Sequence, residues 1–353
     1  MDIMIGIEDS ILESDIAKLA EAGATEFFCG IMPTEWVSVY DYQISLNKRE
    51  YQQNQILSFE KLAAVIERAH EAGKKVAVAM NAHYYIDRQV SLIESYLKKF
   101  REIKVDALIA ASIPLLLLIR KSDIDIPIYI SGEAAVYNSR AFGLFGKYGI
   151  KRIIFPRDMT ISEMETVIKN TKGRGLEYEA FVMSEKCPFS AGYCRTTHGY
   201  VTVNFCIQSW KKVLYMRFPP GSEDELSQDR EYLPDSAVPK PSLRQVSQWN
   251  HNAAQYKEFA ECHFYQSSSP SMNYWGGCGL CSISRLKEIG ITSLKIVSRG
   301  TKVDSKILRL KALKRALMDG TPDAEFPMKI KNTREICDLG YACYYREMRG
   351  KNG

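Results

Sequence analysis

The sequence has little that would carry it through a membrane. Its longest apolar run, residues 107–119, is interrupted by Ser112 and Pro114. A helix needs about 20 apolar residues to cross a bilayer, so no membrane partner is expected. The N-terminus opens with Asp2, with no basic stretch leading into an apolar segment. That predicts no signal peptide and a cytoplasmic location. Several catalytic fingerprints are also missing. No Gly-x-Gly-x-x-Gly follows a strand pattern, so a dinucleotide site is unsupported. There is no His-Glu-x-x-His of a zinc protease and no Gly-x-Ser-x-Gly elbow. Charge is nearly balanced, at +5 over 353 residues, which by itself says little about nucleic acid. Hydrophobic residues make up 46% and charged residues 25%, a globular balance that excludes disorder and coiled coil. A chain of this length can bury a core without staples.

What is present is alternation. Short apolar runs at 3–7, 26–31, 75–80, 107–111, 126–130, 152–155 and 177–183 read as strands. Between them lie helix patterns: Ile16, Leu19 and Ala20 before Gly23; Leu62, Val65, Ile66 and Ala69 before Gly73; then 90–100 and 139–148. Thr160 and Glu163 form a capping box that opens a further helix to about Asn170. An eighth strand, 293–297, and a helix, 305–317, come only after a long interruption. The set predicts an α/β fold, a (β/α)8 TIM-type barrel with a cysteine-rich insertion between strands 7 and 8. An open doubly wound sheet is the competing architecture. The expected division is 1–185 for seven βα units, 186–290 for the insertion, 291–320 for the last strand and helix, and 321–353 for a tail. Within the insertion, 211–275 reads as a lid or flap, rich in Pro, Ser, Asp and Glu through its first part. Residues 40–55 form a second long loop, on the face where barrels place their sites.

Nine cysteines are the strongest chemical signal. An odd count without a secretion signal argues against a disulfide framework. Cys29 stands alone, Cys337 and Cys343 lie near the C-terminus, and six others fall between Cys187 and Cys281. Cys187 and Cys194 flank Pro-Phe-Ser-Ala-Gly-Tyr, Cys206 follows, Cys262 precedes His263, and Cys278 and Cys281 form a Cys-x-x-Cys. Thiolate clusters suit an iron–sulfur centre or a structural zinc. Free or buried cysteines are the weakest explanation for so dense a set. A zinc ribbon usually has two Cys-x-x-Cys pairs and this region has one, which tilts the balance to iron–sulfur.

These residues resemble peptidase family U32, the collagenase-like proteins. The resemblance rests on Cys187-Pro-Phe-Ser-Ala-Gly-Tyr-Cys194, on Gly279-Leu280-Cys281, and on residues 290–299, Gly-Ile-Thr-Ser-Leu-Lys-Ile-Val-Ser-Arg. It extends more weakly to Gly23-Ala24, to 59–81 and to Phe155-Pro156-Arg157-Asp158, and spans roughly 1–317. The chain departs from the family pattern at Val297-Ser298, where the family has Glu-Gly, at Gly132-Glu133, where it has Thr-Gln, and at Asp158, where it has Glu. The resemblance implies a 4Fe–4S cluster, with zinc as the alternative, held by Cys187, Cys194, Cys206 and Cys281. Cys278 is the alternative for the last position. It implies oxygen-independent hydroxylation, or a related modification, of RNA or of a small biosynthetic intermediate. Prephenate would be a possible oxygen donor, and a second U32 subunit a possible partner. The family name offers peptide hydrolysis as the alternative, and a cluster-bearing subunit without its own chemistry is a third reading.

A barrel would bring strand-end polar residues to one mouth. Arg157, Arg299, Glu133 and Lys295 are the candidate catalytic residues, and Glu8, Asn81 and His83 the candidate substrate-binding ones. Two arginines can clamp a carboxylate or a phosphate. The competing expectation is that these arginines pair with Glu8, Glu133 or Asp158 as buried struts. Lys302, Lys306, Arg309, Lys311, Lys314 and Arg315 read as the solvated face of the last helix rather than a phosphate track.

Overall fold

Each apolar run of the sequence becomes one staff of a closed parallel barrel, β1 to β8 in chain order. The computed structural model describes residues 1–40, 44–49, 52–187, 191–194, 277–318, 329, 337 and 342–348. The strands are β1 Asp2–Gly6, β2 Glu26–Gly30, β3 Lys75–Met80, β4 Ala107–Ala110, β5 Ile128–Ile130, β6 Ile150–Ile154, β7 Glu177–Met183 and β8 Ser293–Ile296. Every neighbouring pair is parallel, and β8 closes on β1 with Ile3 opposite Leu294. Closure excludes the open doubly wound sheet. The expected lid at 211–275, Cys206 and Cys262 all lie outside the described residues.

The helices are α1 Glu13–Ala22, α2 Thr34–Tyr40, α3 Phe59–Glu71, α4 Asp87–Glu102, α5 Ile113–Lys121, α6 Ser139–Phe145, α7 Ile161–Thr171, α8 Ile283–Ile289 and α9 Val303–Met318. Among these described residues, no helix is long and apolar enough to cross a membrane. The capping box of Thr160 and Glu163 is present at α7, and Ser58 caps α3 by accepting from Lys61 N at 3.1 Å. The apolar run 107–119 splits into β4 and α5, with Pro114 in the first turn of that helix. Helix α2 was not evident in the sequence because Trp36, Val37, Val39 and Tyr40 favour strands. Tertiary packing decides it: Trp36 is fully buried and its Nε1 donates to Ile44 O at 2.6 Å.

The barrel interior is not purely apolar. Arg152 on β6 donates to Glu26 on β2 and to Glu177 and Glu179 on β7. Glu179 also accepts from Lys295 at 2.8 Å and from Ser293 at 3.3 Å. Above this ionic layer lie Phe28, Ile154 and Phe181, which line the floor of the mouth. Helix α9 departs from the solvated-face expectation. Lys302, Lys311, Lys314 and Arg315 are exposed, but Lys306 and Arg309 are buried. Lys306 reaches under β1 to Gly6 O at 2.8 Å and Glu8 Oε2 at 3.0 Å, and Arg309 donates to Ser298 Oγ at 2.9 Å. A helix packed on a barrel has a buried face, and here two of its cations serve as that face's polar anchors.

Candidate active site at the barrel mouth

The C-terminal ends of the strands open on a hollow of about 480 Å³, counting the solvent it meets. Asn81, Ser131, Glu133, Arg157, Lys295 and Arg299 line it. Of the candidate catalytic residues, all four reach this one place. Asn81 does too, donating to Ser131 Oγ at 3.0 Å. His83 joins through its Nε2, 3.1 Å from Glu133 Oε2. Glu8 does not: its side chain is fully buried and paired with Lys306. It lies past the C-terminal end of β1, and its pairing with Lys306 of α9 takes it away from the hollow. Of the residues expected as struts for the arginines, Asp158 accepts from Tyr137 Oη at 2.7 Å.

Backbone strain collects here. Among the described residues, non-glycine positive φ occurs at Lys104, Asp123, Ala135, Ser184, Glu185 and Ser298. The last four follow β5, β7 and β8 at the mouth. Left-handed backbone costs a non-glycine residue free energy and persists only where its surroundings hold it. Ser184 and Ser298 hold each other, hydroxyl to hydroxyl at 2.9 Å. Close approach also needs Gly30: a Cβ there would run into Asn47, Gln55 and Arg299.

The loop after α2 supplies what the sequence did not single out. Asn47 Oδ1 accepts from Arg299 at 3.3 Å and from Arg49 N at 3.1 Å, while Gln55 donates to the Arg49 carbonyl. Arg49 is thereby carried over the mouth, where its guanidinium pairs with Glu185. Three arginines now share one region. Burial pushes Arg49 down to about 9, and Arg299 and Arg157 push the same way by repulsion. Burial likewise takes Arg299 to about 10. Both stay charged at neutral pH. Arg157 lies over the Phe181 ring and Arg299 over Phe28, at 4.9 and 5.6 Å to the centroids. Among the described residues, the Nε atoms of Arg157 and Arg299 are buried with no hydrogen-bond partner. Buried donors left unmade are costly. Crowded cations with spare donors make a receptor for a planar anion.

Lys295 is different in kind. Burial lowers it, Glu179 opposes that, and the ammonium also rests 3.9 Å from the Phe28 centroid. It bridges the ionic layer below and the hollow above. Signals for the missed residues existed in part: Lys48-Arg49 lay in a loop on the site face, but nothing in sequence aimed it. Lys48 Nζ in fact donates to Cys194 O at 3.1 Å, tying this loop to the cysteine segment.

Cys187 and Cys194 are described and Cys281 is half-buried, while Cys206 lies outside the described residues. Cys187 lies within electrostatic reach of Arg49, Lys186 and Tyr344. Cys281 has other neighbours, Cys278, Cys343 and Cys337. Among the described residues, no three His, Cys, Asp or Glu side chains converge within metal-binding distance. With the cations Arg49 and Lys186 near it, Cys187 has the donor chemistry a thiolate-held cluster would use.

Several known proteins share part of this sequence. The chain is 31% identical over 129 residues to "tRNA hydroxylation protein P" of Helicobacter pylori (strain J99), which covers 36% of this chain and 30% of that protein. It is 28% identical over 148 residues to the protein of the same name in Escherichia coli (strain K12), covering 42% and 32%. With "tRNA hydroxylation protein P2" of Bacillus subtilis (strain 168) it shares 27% over 178 residues, covering 50% and 52%. The matches thus span about a third to about half of those relatives' lengths. Among solved structures, "The Structure of the U32 Peptidase Mk0906" aligns with a TM-score of 0.38 at 13% identity, over 54% of this chain and 73% of that one. The family model for peptidase family U32 matches residues 14–348, nearly the whole chain, and the chain belongs to that family.

Proposed function

We propose that this chain is an RNA-modifying enzyme that hydroxylates a nucleobase without O2, taking the oxygen from a carboxylated organic donor of the prephenate class. The observation that carries this reading is the cluster of Arg49, Arg157 and Arg299 at the barrel mouth, near Cys187, with two buried Nε donors unpartnered among the described residues. Guanidinium pairs bind carboxylates bidentately. Phe28 and Phe181 beneath them offer an apolar floor for a ring. The likeness to curated tRNA hydroxylation proteins favours RNA over a small intermediate as the modified substrate.

A 4Fe–4S cluster is part of the proposal, with Cys187, Cys194 and Cys206 as ligands and the fourth position open to Cys281. When bound it supplies electron transfer or a Lewis-acidic iron. The chain's own residues do the rest. Arg157 and Arg299 hold the donor's carboxylate. The His83–Glu133 pair, 3.1 Å apart, can take or return a proton at His83 Nε2. Lys48 fixes the loop over the cysteine segment. Peptide hydrolysis gains no support at the described mouth, where His83 faces the Glu133 carboxylate; the other described histidine, His70, pairs with Asp106 just before β4, at the far end of the barrel.

The test is anaerobic purification with iron and sulfide analysis, together with mass spectrometry of RNA nucleosides from cells with and without the gene. A hydroxylated nucleoside that disappears with the gene and returns with the wild type, but not with Arg157→Ala, is the expected result. Protein that takes up no iron or sulfide, with an unchanged nucleoside profile, overturns it.

A further inference from the structure

Lys295 reaches the hollow but has no part in the carboxylate and proton handling given to the arginines and His83. It stands on β8 opposite Met4 of β1 and Phe181 of β7. Partners in a parallel ladder project to the same face, and Phe181 lines the hollow as well. An ammonium has three N–H donors and accepts nothing. One donor of Lys295 goes to Glu179 Oε1 and one to the Met4 sulfur, each at 2.8 Å. Thioether sulfur is a weak acceptor. Among the described residues, no oxygen or nitrogen takes the third donor. It is left to the Phe28 ring, 3.9 Å from Nζ to centroid, at the floor of the hollow. A ring face attracts a cation, but it is a weaker hydrogen-bond partner than oxygen.

Charge sets Lys295 apart from the arginines. Its ammonium is already offset by Glu179, which is itself fully buried. Among the described residues, Arg157 and Arg299 have no carboxylate partner; Arg299 donates to the neutral Asn47 amide oxygen at 3.3 Å. A ligand that satisfies the hollow therefore brings an anion to the arginines and an uncharged oxygen to Lys295. A second negative charge at Lys295 would be repelled by Glu179, bound to the same nitrogen. The two demands are close together, because Arg299 and Lys295 lie over one ring, that of Phe28. A carboxylate with an oxygen on the adjacent carbon meets both. A planar guanidinium fork matches the carboxylate, and a point donor matches the single oxygen. A carbonyl only accepts, so it complements an ammonium that only donates. Ile154, Phe181 and Val297 leave an apolar wall for the rest of the molecule.

We propose that Lys295 is the specificity-determining residue of the hollow, selecting 2-oxo carboxylic acids by donating to the oxo group while Arg157 and Arg299 hold the carboxylate. This rests on the reading of the hollow as the site of a carboxylated donor, and it narrows that donor. An acid without the 2-oxo group turns a C–H toward the Lys295 donor and binds more weakly. Sites built to hydrogen-bond an oxygen reject analogues that lack it, because the site's own polar group is then left unpaired. Glu179 acts by holding the ammonium in place, and no covalent bond is made or broken in this step.

The test is calorimetric titration of the full-length chain, purified without oxygen, with phenylpyruvate and with 3-phenylpropanoate, the same skeleton lacking the oxo group. Wild type is compared with Lys295→Met and with Arg157→Lys. Glu179→Gln/Lys295→Met, which leaves no carboxylate stranded at this point, is the second form of the lysine variant should the single one fail to fold. Circular dichroism checks each. Wild type should prefer phenylpyruvate about 10- to 100-fold, the worth of one hydrogen bond from a charged donor. In the lysine variants that preference should collapse, with 3-phenylpropanoate bound as in wild type. Arg157→Lys should weaken both acids alike and keep the preference. Three outcomes overturn the proposal. Equal binding of the two acids by wild type removes the role of Lys295 and leaves the arginine clamp standing. Loss of both acids by one factor in the lysine variants makes Lys295 a strut of the ionic layer. Binding of neither acid by wild type removes the carboxylate site itself, while the nucleoside profile tests the modification independently.

Discussion

Replacing Lys306 by methionine decides whether Glu8 belongs to the barrel frame or to a substrate site. The Lys306 ammonium is fully buried and donates to Glu8 Oε2 at 3.0 Å, to Gly6 O at 2.8 Å and to the Ser298 carbonyl. Methionine keeps much of the stem and loses the charge. Glu8, itself 0% exposed, would keep the Ser10 hydroxyl at 3.3 Å. One hydroxyl does not offset a buried carboxylate. Breaking a buried pair from one side costs about 3–5 kcal/mol, a large share of the roughly 5–15 kcal/mol that holds a typical domain. Removing both charges, in Glu8→Leu/Lys306→Met, strands neither and should recover most of the loss. The assay is urea unfolding at pH 7 of wild type, both single variants and the double variant, read as a double-mutant cycle with an expected coupling of about 2–3 kcal/mol. A loss below about 1 kcal/mol in Lys306→Met, or a double variant as unstable as the sum of the singles, would refute the frame reading. Carboxylate binding at the mouth should survive in the double variant.

Further outcomes follow from the same geometry. Arg152→Met leaves Glu26 and Glu179 without their shared cation and should cost about 3–5 kcal/mol in thermal or urea unfolding. Burial works to raise Glu179, but Lys295 and Arg152 outweigh it and hold the carboxyl below its usual range. Its contribution is therefore present above about pH 4.5 and lost as pH falls through the lowered value, so Glu179→Gln should flatten the acid limb of a stability–pH curve. Arg299→Lys or Arg157→Lys loses the planar fork and should weaken calorimetric binding of prephenate about 10- to 100-fold, the worth of one charge-assisted hydrogen bond. The exposed Arg174→Lys should leave binding unchanged. Cys29, fully buried with its thiol pushed up to about 12, should resist alkylation at neutral pH until the chain unfolds, as mass spectrometry of labelled peptides would record.

The barrel was legible because its signals are local. Lys75–Met80 and Glu177–Met183 are apolar runs whose ends coincide with the strands they predict, and the capping box at Thr160 is a contact three residues long. The same locality explains the misreadings. Thr34–Tyr40 carries strand-favouring residues and is helical because Trp36 has a pocket and a carbonyl to meet. Lys306 and Arg309 looked solvated because helical spacing shows which residues share a face but not what that face touches.

The sequence by itself determined the alternation of strands and helices, the placing of Arg157, Arg299, Glu133 and Lys295 at strand ends, and the dense set of cysteines between strands 7 and 8. Tertiary structure alone decided the pairings. It removed Glu8 from the mouth by giving it Lys306, brought Arg49 in through Asn47 and Gln55, and set Cys343 opposite Cys278 across 65 residues of chain. The physical reason is range: propensity, capping and periodicity act within a few residues, whereas a charge or a thiol acquires its role from whichever neighbour closure of the barrel places beside it.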